Sequence, residues 1–259
     1  MKHTKNNTIL ALSLVDDTKY KIVLHIPHSS IHIPIIDGFN QELIKSEIDK
    51  LTDWSTDDIF NIDGITKIVT PFSRIFCDVE RFSDDNLEPM YQLGRGYYYT
   101  HTDNGEVLRQ NNLKLKHKIL NEYYLPHHNL FNELISEKLK LYDEAFIIDC
   151  HSFSDIPFHS DLIKDSNRPD ICIGTDDFHT PSELTNHIVT EFEKIGYSVK
   201  INTPYSGTIV NNDSYNIDKR VKSIMIEINR KLYMDDNFKI NLNNVEKLNN
   251  QISKIVSNM

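Results

Sequence analysis

Cysteine is scarce in this chain. Cys77, Cys150 and Cys172 make an odd total of three, with no C-x-x-C pair, which excludes a disulfide scaffold and a thiolate zinc site. Positive charge is also short, since 28 Lys+Arg against 38 Asp+Glu leave a net charge of -10. That balance repels phosphate backbones and anionic lipid, which excludes nucleic acid and membrane surfaces as general partners. No apolar run approaches the ~18 residues that a spanning helix needs. Eight glycines and nine prolines in 259 residues are too few for a collagen-like or low-complexity chain. Phosphate-cradling loops are missing too: Gly94-Arg95-Gly96 lacks a third glycine and follows no strand pattern, and there is no P-loop. Neither a G-x-S-x-G nucleophile elbow nor an H-E-x-x-H helix occurs.

What is present describes a soluble globular protein. Hydrophobic residues make up 39% and charged residues 25%, and the length suffices for a sizeable core. No repeat, Gly/Ser linker or break in composition divides residues 1–259, which predicts a single domain. Unpaired cysteines fit a reducing cytoplasm. Lys2 and Lys5 ahead of Ile9–Val15 imitate a secretory leader. That apolar run is short, however, and it meets Asp16-Asp17 with no cleavage pattern, so the leader reading is set aside.

Short β-branched runs predict strands over Lys21–His25, Ile65–Thr70, Arg74–Val79, Ala145–Asp149, Asp170–Gly174, Tyr197–Asn202 and Val221–Ile228. Helical spacing joins Leu184, Ile188 and Phe192, then Val245, Leu248, Ile252 and Ile255. Glu106–Tyr142 is helical in period, with Pro126 expected to split it into two helices. Thr180-Pro181-Ser182-Glu183 supplies a helix start, with Thr180 as the cap. Strand and helix alternate through the second half, which predicts an α/β sheet, mostly parallel, with helices on both faces.

Two strands end in histidine. Leu24-His25-Ile26-Pro27-His28 and Phe146-Ile147-Ile148-Asp149-Cys150-His151 bring imidazoles to corresponding carboxyl ends, where α/β sheets bind ligands. A catalytic zinc takes three protein ligands and leaves one position for water. Asp53, Asp57 and Asp58 are each able to complete such a set. Glu227 interrupts the otherwise apolar Ile224-Met225-Ile226-Glu227-Ile228, and a buried carboxylate needs a cation, a metal or a proton. Either an ion pair with Arg230 or Arg74 explains it, or a tuned general base does. Arg74, Arg81, Arg95 and Arg109 form a plausible fork for a carboxylate substrate. Tyr97, Tyr98 and Tyr99 with His101 wall a pocket or pack into the core.

In this order, these segments resemble the N-formylglutamate amidohydrolase family. The resemblance rests on Pro27-His28-Ser29-Ser30, Asp53-Trp54-Ser55-Thr56-Asp57, Phe72-Ser73-Arg74 with Asp78-Val79-Glu80-Arg81-Phe82, Asp149-Cys150-His151-Ser152, Asn202-Thr203-Pro204-Tyr205-Ser206-Gly207 and Glu227-Ile228-Asn229-Arg230. It implies a phosphorylase/hydrolase-like three-layer α/β/α fold around a mixed, mostly parallel sheet, similar to the zinc carboxypeptidases. It also implies a zinc-dependent hydrolase of a small anionic N-acyl amino acid, with a place in histidine degradation. His28, Asp53 and His151 would then hold the metal and Glu227 would serve as acid and base. Arg74 would stand by the carbonyl oxygen. Arg81, Arg109, Asn202, Tyr205, Ser152 and His101 would face the substrate. In the family it is the histidine after proline that carries the resemblance, which sets His25 aside. Another N-acyl amino acid, a peptide end, or a metal-free binding role on the same fold are the alternatives.

Overall fold

The computed structural model describes residues 20–259, so the leader-like stretch Met1–Val15 lies outside the described residues. Within them, six strands form one sheet: β1 (Ile22–Ile26), β2 (Thr66–Val69), β3 (Ala145–Phe153), β4 (Ile171–Gly174), β5 (Val199–Ile201) and β6 (Val221–Asn229). Their order is β2-β1-β3-β6-β4-β5. Every neighbouring pair runs parallel except β4 and β6. The helices are α1 (Gln41–Leu51), α2 (Thr56–Ile59), α3 (Leu113–Ile119), α4 (Leu125–Tyr142), α5 (Ser182–Lys194) and α6 (Leu242–Ser257).

Alternation along the strands assigns the two faces. Ile22, Leu24, Ile26, Phe146, Ile148, Ile224, Ile226 and Ile228 point to one side and pack under Ile188 and Phe192 of α5 and Val245, Leu248, Ile252 and Ile255 of α6. Val23, Ala145, Ile147 and Val221 point to the other, under Phe131, Leu134 and Ile135 of α4. The result is three layers with helices on both faces. No helix among the described residues is long and apolar enough to cross a membrane.

Two local expectations change and a third holds. Arg74–Val79 is not a strand but a tight turn, in which Ser73 O accepts from Phe76 N (2.9 Å) and Cys77 N (3.1 Å). Its apolar residues are buried in a second core with Phe39, Tyr97, Tyr98, Tyr99 and Tyr124, so burial alone imitates a strand pattern. The two helices expected around Pro126 are present as α3 and α4. A π-helical turn over Leu120–Tyr124 separates them, and the proline falls in the first turn of α4, the position that best tolerates it. Thr180 does not cap α5; its hydroxyl accepts from Asp176 N–H (2.9 Å) and donates to Ser223 O (2.6 Å), tying the loop to β6.

The second core also corrects the role expected for Arg109. This side chain is 1% exposed. Its Nε donates to Tyr99 O (2.9 Å) and Nη1 to Phe76 O (3.1 Å). The guanidinium lies 3.5 Å from the Tyr98 ring centre and 4.6 Å from that of Phe39. Burial pulls its pKa down to about 10. Arg109 therefore braces the tyrosine loop, and Tyr97–Tyr99 are buried in that core. Arg109→Met is expected to cost about 3 kcal/mol in denaturant unfolding, through two lost charge-assisted hydrogen bonds and the ring contacts. A raised KM at unchanged stability would return Arg109 to the substrate pocket.

Candidate metal centre

Strand periodicity delivers the site. On β3, Asp149 and His151 continue the face begun by Ala145 and Ile147, and on β6 Glu227 continues the face of Val221. Registry places His25 opposite Asp149 and His151 opposite Glu227. The face is apolar beneath α4 and becomes polar at the carboxyl ends of the strands, where open sheets hold their ligands. His28 follows two residues after β1, and its carbonyl accepts from Asp53 N–H at 3.0 Å. This bond brings the α1–α2 junction over the strand ends.

The His28 and His151 rings lie 5.1 Å apart, centre to centre. Asp53 Oδ2 is 3.0 Å from His151 Nδ1 and 3.6 Å from His28 Nδ1. The opposite nitrogens face other carboxylates. His28 Nε2 lies 2.9 Å from Asp78 Oδ1, and His151 Nε2 lies 3.0 Å from Asp149 Oδ1 and 3.1 Å from Glu80 Oε1. His28 Nδ1 is buried and has no hydrogen-bond partner. An imidazole with one nitrogen on a carboxylate and the other unsatisfied is arranged as a metal ligand, the carboxylate fixing ring and tautomer. Two imidazoles and a carboxylate suit zinc or a similar divalent ion.

Two carboxylates compete for the third ligand. Donor atoms of His28, Glu80 and His151 lie within 4.8 Å of one another, so Glu80 is an alternative to Asp53. The hydrogen bonds favour Asp53. It faces the unsatisfied Nδ1 of His28, whereas His28 Nε2, 3.8 Å from Glu80 Oε2, is already committed to Asp78. Asp53 is itself held, with Oδ1 accepting from Arg230 Nη2 at 3.0 Å.

Electrostatics mark the same place. Burial opposes charge on His151, but Glu80 and Asp149 hold its pKa well above the ordinary imidazole value. Burial likewise opposes ionisation of Asp53, yet the hydrogen bond from His151 and the charge of His28 keep it below the usual carboxylate range. Glu227 goes the other way. Burial lifts its pKa to about 8, against the pull of the His151 charge and with the help of Asp53. Its Oε2 is buried without a hydrogen-bond partner.

The arginines do not pair with Glu227. Arg74 Nε and Nη2 both donate to Asp78 Oδ2 (3.2 and 2.9 Å), which also accepts from Tyr99 Oη at 2.8 Å. Arg81 Nε lies 3.6 Å from the same oxygen. Arg230 Nε donates to Ser152 Oγ (3.1 Å) and Nη1 to Lys50 O (2.7 Å), so Ser152 meets an arginine of the fold. Tyr205 Oη lies with Asp161 and Arg168. Asn202, in a left-handed conformation (φ 53°), exchanges hydrogen bonds with Thr175. His101 Nδ1 is 2.9 Å from Thr100 Oγ1. These last three brace loops, and the contacts they make do not reach the histidine pair. Asp78, Asp149 and Arg230 are the residues that sequence reasoning missed as supports of the centre. Asp149 was within reach, since it stands two residues before His151 on the same strand face. Asp78→Asn is expected to weaken metal binding about 10- to 100-fold, measured by competition with a chelator.

A model of the N-formylglutamate amidohydrolase family matches residues 20–234. The chain belongs to that family. No curated protein matches its sequence. Two solved structures share the fold. An N-formylglutamate amidohydrolase from Ralstonia eutropha JMP134 is 21% identical, with 91% of this chain and 90% of that one covered at a TM-score of 0.76. A gene product of Agrobacterium tumefaciens is 16% identical, with 93% and 92% covered at a TM-score of 0.63. Family membership supports an amide-hydrolysing role. The expected likeness to zinc carboxypeptidases gains no support from these comparisons.

Proposed function

We propose that this member of the N-formylglutamate amidohydrolase family is a metal-dependent hydrolase that cleaves the formyl C–N bond of N-formyl-L-glutamate or a closely related N-acyl amino acid. The observation that carries this reading is the buried, unpartnered His28 Nδ1 facing Asp53 beside His151, with the free Glu227 Oε2 on the neighbouring strand. Zinc or another divalent ion held by His28, Asp53 and His151 would polarise the acyl carbonyl and acidify a water.

The chain's own groups do the rest. Glu227, whose pKa is raised to about 8 by burial, takes a proton from the attacking water and passes it to the leaving amine. The C–N bond breaks, the oxygen of water stays on the acyl carbon, and formate and glutamate leave. Arg74, fixed by Asp78, is the donor for the developing oxyanion, a contribution typically worth about 3 kcal/mol. Arg81, a quarter exposed at its side chain, is the guanidinium for a substrate carboxylate, and holding it orients the amide for attack. Arg109 has no part in this.

A second reading has its own observation. A cleft of about 760 Å³ is lined by Lys50, Asp103, Ser154, Phe158, Lys231 and Arg230, the arginine that also binds Asp53. Were a substrate to extend into it past Arg230, a longer acyl chain or a peptide end would be the favoured ligand. Formate release from N-formyl-L-glutamate, set beside N-acetyl and peptidyl glutamates, tests both. Preference for the formyl compound supports the first reading. Turnover of the longer compounds alone supports the second, and turnover of none removes the hydrolase.

A further inference from the structure

We propose that His25, Glu80 and Asp149 hold a second divalent cation beside the first, an inference that rests on the metal-centre reading of His28, Asp53 and His151. His25 Nδ1 lies 3.1 Å from Asp149 Oδ1 and 3.5 Å from Glu80 Oε1, and donor atoms of the three residues lie within 4.8 Å of one another. A four-coordinate zinc with ligands at about 2.0–2.1 Å separates neighbouring donors by roughly 3.3 Å, so His25 Nδ1 already stands at a ligand spacing from both carboxylates.

Two of the three donors are oriented by a partner on the far side. Asp149 Oδ2 accepts from Ile209 N–H at 3.0 Å, which leaves Oδ1 for the cluster. His25 Nε2 lies 3.0 Å from His127 Nε2, and the ring stacks on Phe131 at 4.9 Å. With its Nε2 occupied, His25 turns Nδ1 to the two carboxylates, the outer support typical of a metal-bound imidazole.

Charge supplies the second line of argument. Among the described residues, no arginine pairs with Glu80 or Asp149, whereas Asp53 has Arg230 and Asp78 has Arg74 and Arg81. The ion pairs of Glu80 and Asp149 run to His25, His28 and His151. Glu80 and Asp149 therefore face imidazoles alone, the arrangement of carboxylates that share a metal with histidine rather than pair with a guanidinium. One imidazole with two carboxylates suits zinc or manganese.

The test uses the zinc-loaded, desalted protein. Native mass spectrometry is expected to count two zinc ions in the wild-type chain and one in His25→Gln. Anomalous diffraction at the zinc edge from wild-type crystals, which does not depend on that variant folding, is expected to show one peak against His28, Asp53 and His151. A second peak should lie against His25, Glu80 and Asp149. A single zinc, or a second peak elsewhere, overturns the second site and leaves the first intact. No bound zinc overturns both.

Discussion

Replacing His28 with alanine is expected to remove the bound metal and to lower kcat/KM for N-formylglutamate by at least about a thousandfold, roughly 4 kcal/mol of transition-state stabilisation. His28 is a cleaner target than His151. Its outer partner Asp78 keeps Arg74 and Tyr99 after the imidazole is gone, so the variant leaves no isolated buried charge. His151 stands between Asp53, Asp149 and Glu80, and its loss would take a buried partner from all three carboxylates at once. Zinc content by mass spectrometry and formate release should therefore fall together in His28→Ala while the melting temperature of the metal-free protein changes little. Full zinc content in this variant would remove His28 from the centre.

Glu227→Gln should separate what His28→Ala joins. The amide has nearly the shape of the carboxylate and no charge, so it suits a buried strand position where burial already disfavours ionisation. The fold and the zinc should survive. Turnover should not, because glutamine cannot take a proton from water, and loss of a general base costs about 10²- to 10⁴-fold in kcat. KM should change far less, since Glu227 touches the reacting atoms rather than the substrate's carboxylates. Retained kcat would take Glu227 out of the chemistry.

The sheet and the histidine pair were legible in the sequence for one physical reason. Apolar runs bounded by turns marked β1, β3, β4 and β6, and period two then placed Asp149, His151 and Glu227 on one face. The loops over that face were less legible. Arg74–Val79 read as a strand because a turn buried in a second core is as apolar as one. Arg109 read as part of a fork for substrate, because nothing local tells that its guanidinium ends on the carbonyls of Phe76 and Tyr99. The roles of Asp78 and Arg230 were not legible because their partners lie far away: His28 is 50 residues from Asp78 and Asp53 is 177 from Arg230. His25 was set aside in favour of the histidine after proline, yet the sheet places it directly beside Asp149.

The most direct test of the account is formate release from N-formyl-L-glutamate by the protein stripped of metal with a chelator, before and after zinc is restored. The account predicts no release from the stripped protein and recovery on zinc addition. Release that persists without metal, or that fails to return with it, contradicts the centre built on His28, Asp53 and His151.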